Sequence, residues 1–285
     1  MKTIYRSLAV VVCISLFLSG CKDKTALSEK AISFFAMDTS ISVRVYGVND
    51  DLLDQARNLV DKIESEFSVT QPGSDVSRLN QQGKAVVSSD VAELLTKAAA
   101  LGEETHGAFD ITVYPLVKAW GFTTGAYRVP SEEEIGKLLP LVDYEAVDIS
   151  GNFVSLSSGA MLDFGGIAKG YTAEKLVELL KGSGVTSAVL DLGGHIQTIG
   201  AKPDGSAWRV AVRSPDGSGT LGILEVKDQA VVTSGGYERY FEDENGTVTY
   251  NGKKYTLKDR LGIEFPVVPD NAPFSTQFCQ PSFCT

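Results

Sequence analysis

Histidine is nearly absent. His106 and His195 are the only two in 285 residues, and no Ser/His/Asp set supports Ser234 as a nucleophile. His106 falls at the end of a predicted helix, where an imidazolium is favourable without any catalytic role. His195 follows a Gly-Gly pair, where it can simply solvate a loop. Basic excess is also missing: 26 Lys and Arg stand against 36 Asp and Glu, for a net charge of −10. Without a basic patch, no nucleic-acid partner is expected. Cysteine is sparse, with four in the chain. Cys279 and Cys284 either pair in an oxidising compartment or are unrelated thiols in a tail. The familiar phosphate loops, G-x-x-x-x-G-K-[ST] and G-x-G-x-x-G, do not occur. Repeats, low-complexity tracts and an internal domain boundary are lacking as well. Overall composition, with 43% apolar and 22% charged residues, is that of a globular protein.

The N-terminus carries a targeting pattern. Lys2 and Arg6 precede the apolar run Leu8–Leu18, which is too short to span a bilayer comfortably. Leu18-Ser19-Gly20-Cys21 then has the form of a bacterial lipobox, with small residues before a cysteine whose thiol takes the lipid. Residues 1–20 are read as a lipoprotein signal peptide, Cys21 as the lipidated residue, and 21–35 as a tether. The expected location is the bacterial cell envelope, lipid-anchored to a membrane and facing the extracytoplasmic side. A plain secretory signal or an uncleaved anchor is the other reading of the same residues.

Beyond the tether, apolar periodicity sets out a mixed architecture. Ile41, Val43 and Val45 alternate with polar residues and predict a strand over Ala36–Tyr46. Leu52, Leu53, Ala56, Leu59, Val60, Ile63 and Phe67 form one face of a helix. Asp90 with Glu93, and Ser131 with Glu134, read as capping boxes. A hairpin is predicted over Val147–Leu156 around Gly151-Asn152, and a strand over Ala188–Leu192. Further strands follow to Thr233 without strict βαβ alternation, so the expected class is α+β.

One stretch organises the rest: Ala160-Met161-Leu162-Asp163-Phe164-Gly165-Gly166-Ile167-Ala168-Lys169-Gly170-Tyr171. Met161 and Leu162 read as the end of a buried strand that delivers Asp163. Two glycines follow, where backbone approaches a ligand without a Cβ in the way. Lys169 then opens a helical run through Ala173, Leu176, Val177 and Leu180. Strand, acid, glycine turn and a helix start bearing a cation suit a phosphorylated ligand. An ordinary tight connection with a solvated lysine explains the same spacing.

Other clusters join this one in order along the chain. They are Met37-Asp38-Thr39, Ser74-Asp75-Val76-Ser77-Arg78-Leu79-Asn80, Thr105–Val117 with Trp120-Gly121-Phe122, Leu190-Asp191-Leu192-Gly193-Gly194, and Val232–Tyr240. Together, from about Ala36 to about Tyr255, the chain resembles the ApbE-type flavin transferases. The resemblance implies the fold of that family over residues 36–255. It also implies an exported enzyme that binds FAD and Mg2+ and moves FMN onto a threonine or serine hydroxyl of an acceptor protein. Met37, Ala108, Phe109 and Asp110 would line the FAD site, Asp163 would hydrogen-bond the cofactor, and Lys169 would meet its charge. Gly166 would offer a backbone oxygen to magnesium, and Thr233-Ser234-Gly235 would stand on the cleft rim. Acceptors would be exported subunits of flavin-dependent redox complexes. Each residue also has a plainer reading: Met37 and Phe109 as core, Asp110 as the cap of a turn.

Departures from the family pattern shape a second set of expectations. Thr70 replaces a tyrosine typical of a Ser-x-Tyr-x-x-x-Ser segment. After Tyr255 the family reads His-x-Ile-Asp-Pro, whereas this chain has Thr256-Leu257-Lys258-Asp259 and an atypical tail over 256–285. Threonine does not accept a proton near neutral pH. Transfer impaired by this C-terminus is therefore expected, with FAD hydrolysis or non-catalytic flavin binding as alternatives.

Overall fold

The computed structural model describes residues 27–214, 218–233, 247–250 and 253–256. The lipobox with Cys21, the Ser234-Gly235 pair, Asp259, and Cys279 and Cys284 lie outside the described residues.

The chain begins with a hairpin, β1 (Glu29–Ala36) against β2 (Thr39–Tyr46), closed by the two-residue turn Met37-Asp38. Residues 29–35 are thus strand and not tether, and the strand predicted over Ala36–Tyr46 is β2, which starts only after the turn, at Thr39. β1 lies at a sheet edge with one face in solvent, so Glu29, Ala31, Ser33 and Phe35 point outward. Phe35 on that outer row and Lys30 on the inner one break the polar–apolar alternation that would have marked the strand.

Helix α1 (Asp51–Phe67) buries Leu52, Leu53, Ala56, Val60, Ile63 and Phe67 along one face. Helix α2 (Asp75–Gln82) starts at Ser74, whose hydroxyl accepts the Ser77 N–H at 2.9 Å, and stops at Gly83 with φ of 70°. Strand β3 (Lys84–Val86) leads into α3 (Ser89–Glu104). The cap of α3 is Ser88, not the Asp90–Glu93 box: its hydroxyl accepts the Val91 N–H at 3.2 Å. Asp90 and Glu93 instead accept the Tyr171 hydroxyl at 2.9 and 3.0 Å.

Two short helices follow, α4 (Tyr114–Ala119) and α5 (Glu132–Leu138), the second capped by Ser131 as the sequence predicts. The hairpin β4 (Val147–Ser150) and β5 (Phe153–Leu156) also matches the reading of the sequence. Then comes α6 (Ala168–Gly182), followed by β6 (Ala188–Leu192), β7 (His195–Ile199), β8 (Trp208–Arg213), β9 (Thr220–Val226), β10 (Ala230–Val232), β11 (Thr247–Tyr250) and β12 (Lys253–Thr256).

The main sheet runs β1-β2-β6-β7-β10, antiparallel throughout, with β3-β5-β4, β8-β9 and β11-β12 as smaller sheets. The class is α+β, as expected. One core packs the inner face of the main sheet (Ile41, Val43, Val45, Leu190, Leu192) on Ala56, Val60, Leu176 and Leu180. A second joins Ile63, Phe67, Leu79, Leu94, Leu95, Val154, Leu162, Phe164 and Tyr171. Helices α1 and α6 contribute to both, and burial of each such large side chain is worth about 1.5–3 kcal/mol.

Candidate functional site

The site forms where α6 begins. Phe164 anchors the entry: its ring is buried and meets Phe67 edge-on at 5.3 Å between centroids. Its carbonyl accepts the Ile167 and Ala168 N–H groups at 2.9 and 2.8 Å. Ile167, at the cap position, gives α6 no side-chain cap. The positive end of the helix dipole therefore opens beside Lys169 in the first turn, an arrangement that attracts an anion.

The residues before α6 are held from two sides. Asn80 on α2 clamps Leu162, donating to its carbonyl at 2.9 Å and accepting its N–H at 2.6 Å. This clamp explains why the strand predicted at Met161-Leu162 is reduced to a single bridge between Val113 and Met161. A side-chain amide takes the backbone groups that a neighbouring strand would otherwise pair. The Asp163 N–H donates to Ile111 O at 2.8 Å, and Asp163 Oδ1 accepts the Gly165 N–H at 2.6 Å. A Cβ on Gly165 would stand 2.8 Å from that oxygen. One on Gly166 would stand 3.3 Å from the Phe109 ring. The 105–112 segment and the 161–166 segment are therefore in contact.

Ala108, Phe109 and Asp110 sit on the turn that ends α3, where His106 and Gly107 take φ of 53° and 78°. The Phe109 N–H donates to Thr105 Oγ1 at 3.0 Å. Asp110 does cap a turn: its Oδ1 accepts from Thr112 N and Oγ1 at 2.7 and 2.6 Å. The buried Thr112 hydroxyl also accepts the Asp143 N–H at 2.7 Å.

Met37 approaches from the β1–β2 turn. Met37 and Asp38 have φ of 52° and 56°, a left-handed geometry that costs a residue with a Cβ about 1–2 kcal/mol. The pair makes a two-residue hairpin loop with both φ values positive, the geometry that favours glycine at its second place. The Met37 N–H donates to Glu64 Oε1 at 2.9 Å, and Thr172 Oγ1 lies 3.5 Å from Met37 Sδ. The Met37 side chain also packs against both cores, so its plainer reading holds as well.

The β6–β7 turn closes the group. Gly193 lies so near Thr39 that a Cβ there would stand 1.9 Å from its hydroxyl oxygen. The Gly194 N–H donates to Asp191 Oδ1 at 2.9 Å. His195 follows, with its Cε1 3.9 Å from where a Gly170 Cβ would be. Its Nε2 is buried without a hydrogen-bond partner. Burial and the Lys169 charge hold the His195 imidazole below its ordinary pKa, against the pull of Asp191. Thr233 follows β10, whose Val232 pairs with His195.

The sequence-derived candidates Met37, Ala108, Phe109, Asp110, Asp163, Gly166 and Lys169 thus lie on three segments grouped about the start of α6. Glu64 joins them unannounced by the sequence, whereas Asn80 stood there only as the end of a motif and His195 only as a loop residue. Asn80 and Glu64 have partners 82 and 27 residues away, so no local pattern announces either role. For His195 the signal was the Gly-Gly turn before it. Among the described residues, no three His, Cys, Asp or Glu side chains converge to hold a metal ion. The Asp163 carboxylate and the backbone oxygens of Gly165 and Gly166 are hard donors of the kind magnesium takes, and magnesium commonly completes its shell with substrate phosphates and water.

Residues 37–256 match the model of the ApbE family. The chain belongs to the ApbE family. The FAD:protein FMN transferase of Vibrio cholerae is 30% identical over 84% of this chain and 75% of its own length. That of Treponema pallidum is 31% identical over 84% and 73%. Among solved structures, the ApbE protein of Thermotoga maritima superposes with a TM-score of 0.70 at 30% identity, covering 80% of this ApbE chain and 75% of its own. The flavin transferase ApbE of V. cholerae superposes at 0.69 with 29% identity, covering 74% and 72%.

Proposed function

We propose that this ApbE-family chain transfers FMN from FAD to a threonine or serine hydroxyl of an acceptor protein. The observation that carries the reading is the uncapped start of α6, with Lys169 in its first turn and Asp163 on a glycine loop before it. A pyrophosphate needs that combination, because helix-end amides and a cation stabilise the phosphate charge together. In the reaction the acceptor oxygen forms a bond to the FMN phosphorus. The bond from that phosphorus to the bridging oxygen breaks, AMP leaves with the electron pair, and the hydroxyl proton passes to solution.

The chain's own residues bind and orient. Met37, Ala108, Phe109 and Asp110 line the cofactor, Asp163 accepts a hydrogen bond from it, and Lys169 faces the phosphates. Mg2+, when bound with FAD near the Gly166 backbone oxygen, would offset charge on the phosphate oxygens. The donor chemistry of 163–166 supports this. Thr256, where the resemblance leads one to expect a histidine, ends β12 and supplies no base near neutral pH. Slow transfer is the consequence; in a second reading water replaces the acceptor hydroxyl and FAD is hydrolysed to FMN and AMP.

The acceptors we propose are exported subunits of redox complexes, met at the outer face of a membrane to which Cys21 is lipid-anchored. Among the described residues, no helix is long and apolar enough to cross a membrane. Incubation with FAD and Mg2+, with and without an acceptor protein, tests the proposal. Covalent FMN on the acceptor with AMP release supports transfer. AMP and free FMN regardless of acceptor supports hydrolysis, and FAD binding without AMP overturns both. Changing Cys21 to serine should release the chain from the membrane fraction, and unchanged fractionation would contradict the anchor.

A further inference from the structure

We infer that Glu64 is a positioning residue of the FAD site, holding the Met37-Asp38 turn in its left-handed form. The inference rests on the proposed flavin reading of that site. Three observations on different elements lead to it. The turn has two successive non-glycine residues at φ of 52° and 56°, so its conformation must be imposed by its surroundings. Glu64 reaches it from α1, 27 residues along the chain, and its Oε1 accepts the Met37 N–H at 2.9 Å. The turn is confined on its other sides by Thr172, at 3.5 Å from Met37 Sδ, and by Gly193, which has no room for a Cβ against Thr39. Of these contacts, the Glu64 carboxylate is the one that takes a backbone group of the strained residue itself. Hydrogen bonds to a carboxylate are stronger than those between neutral groups, so this contact is a strong polar hold on the turn.

If Glu64 acts through the turn, removing it matters only because the turn relaxes. Glycine at the second place of such a turn adopts positive φ without cost. Asp38→Gly should therefore remove half of the turn's strain and leave it far less dependent on Glu64. The experiment is FAD titration of the full chain as wild type, Glu64→Ala, Glu64→Gln, Asp38→Gly and the Glu64→Ala/Asp38→Gly double variant. Amide exchange at Met37 is followed in the same proteins. Glu64→Ala should raise the FAD dissociation constant about tenfold and speed exchange at the Met37 amide. Glu64→Gln, which keeps an acceptor oxygen, should retain most of the affinity. The double variant should recover to within about threefold of Asp38→Gly alone. A double variant as weak as Glu64→Ala would overturn the inference, because Glu64 would then act by direct contact with the ligand. Unchanged affinity in Glu64→Ala would overturn it too, while leaving the proposed function standing. Failure of the wild type to bind FAD would overturn the proposed function and this inference together.

Discussion

The two ends of α6 are built in opposite ways. At its C-terminus the chain satisfies itself: Ser183 N–H donates to Leu179 O and Leu180 O, Gly184 N–H to Lys181 O, and Val185 N–H to Leu180 O. Leu176 and Leu180 are fully buried beneath. At its N-terminus no side chain caps the helix, and two residues of the facing turn are strained. Between them, Tyr171 and Lys175 belong to a network with Asp90, Glu93, Lys97 and Glu174 that ties α6 to α3. Strain and unmet polar groups are rare in folded proteins and gather where a ligand completes them. The difference teaches that one helix serves as scaffold at one end and, in the function proposed above, as binding surface at the other.

That contrast can be broken by substitutions, beginning with the largest effect. Leu176→Ala should destabilise the fold by about 2–5 kcal/mol, since the buried site closes poorly over a lost side chain. FAD affinity of the folded fraction should be unchanged, as denaturation and titration together will show. A parallel loss of affinity would mean that the scaffold and the site are not separate.

Asp163→Ala should do the reverse. Loss of a charge-assisted hydrogen bond is expected to weaken FAD binding by about 1.5–3 kcal/mol, with a smaller change in stability. Unchanged affinity in a folded variant would remove Asp163 from the site. Asn80→Ala sharpens the boundary between the two roles. It removes both bonds to the Leu162 backbone and leaves them buried and unpaired, at about 1–3 kcal/mol. Stability and FAD affinity should fall together, since Leu162 is core and Asp163 follows it directly.

Tyr171→Phe tests the middle of α6, at about 1 kcal/mol for a partly exposed network. Burial alone would raise the Asp90 and Glu93 carboxyls, yet both sit below their ordinary range. Bonds from Lys62 and Tyr171 outweigh burial at Asp90, and bonds from Lys175 and Tyr171 do so at Glu93. Groups with depressed folded values stabilise the fold above their unfolded pKa, near 4, and lose that contribution as pH falls through the folded value. The wild type should therefore lose stability more steeply on acidification below about pH 4 than Tyr171→Phe.

How much of this contrast was legible in the sequence differs between the two ends. The scaffold end was: Ala173, Leu176 and Leu180 fall at helical spacing, and Ala188–Leu192 alternates as a buried strand. At the site end the order of glycine-punctuated clusters named the candidate residues, but not the architecture that groups them. Asn80 and Glu64 act on backbone far away in sequence, and no periodicity records that. The β1 strand stayed hidden because Lys30 on its inner row and Phe35 on its outer row break the alternation. The Asp90 cap failed because a nearby serine, Ser88, competed for the same helix end and left both acids for Tyr171.

The central claim is that the ligand sits at the N-terminal end of α6, and hydrogen–deuterium exchange with and without FAD tests it most directly. The account predicts protection on adding FAD over residues 37–39, 108–112, 162–170 and 191–195. A concavity of about 410 Å³ lies at the opposite end of the helix, lined by Gly47, Asn49, Gln55 and Ser183 among others. Protection there, with none around Asp163 and Lys169, would contradict the account.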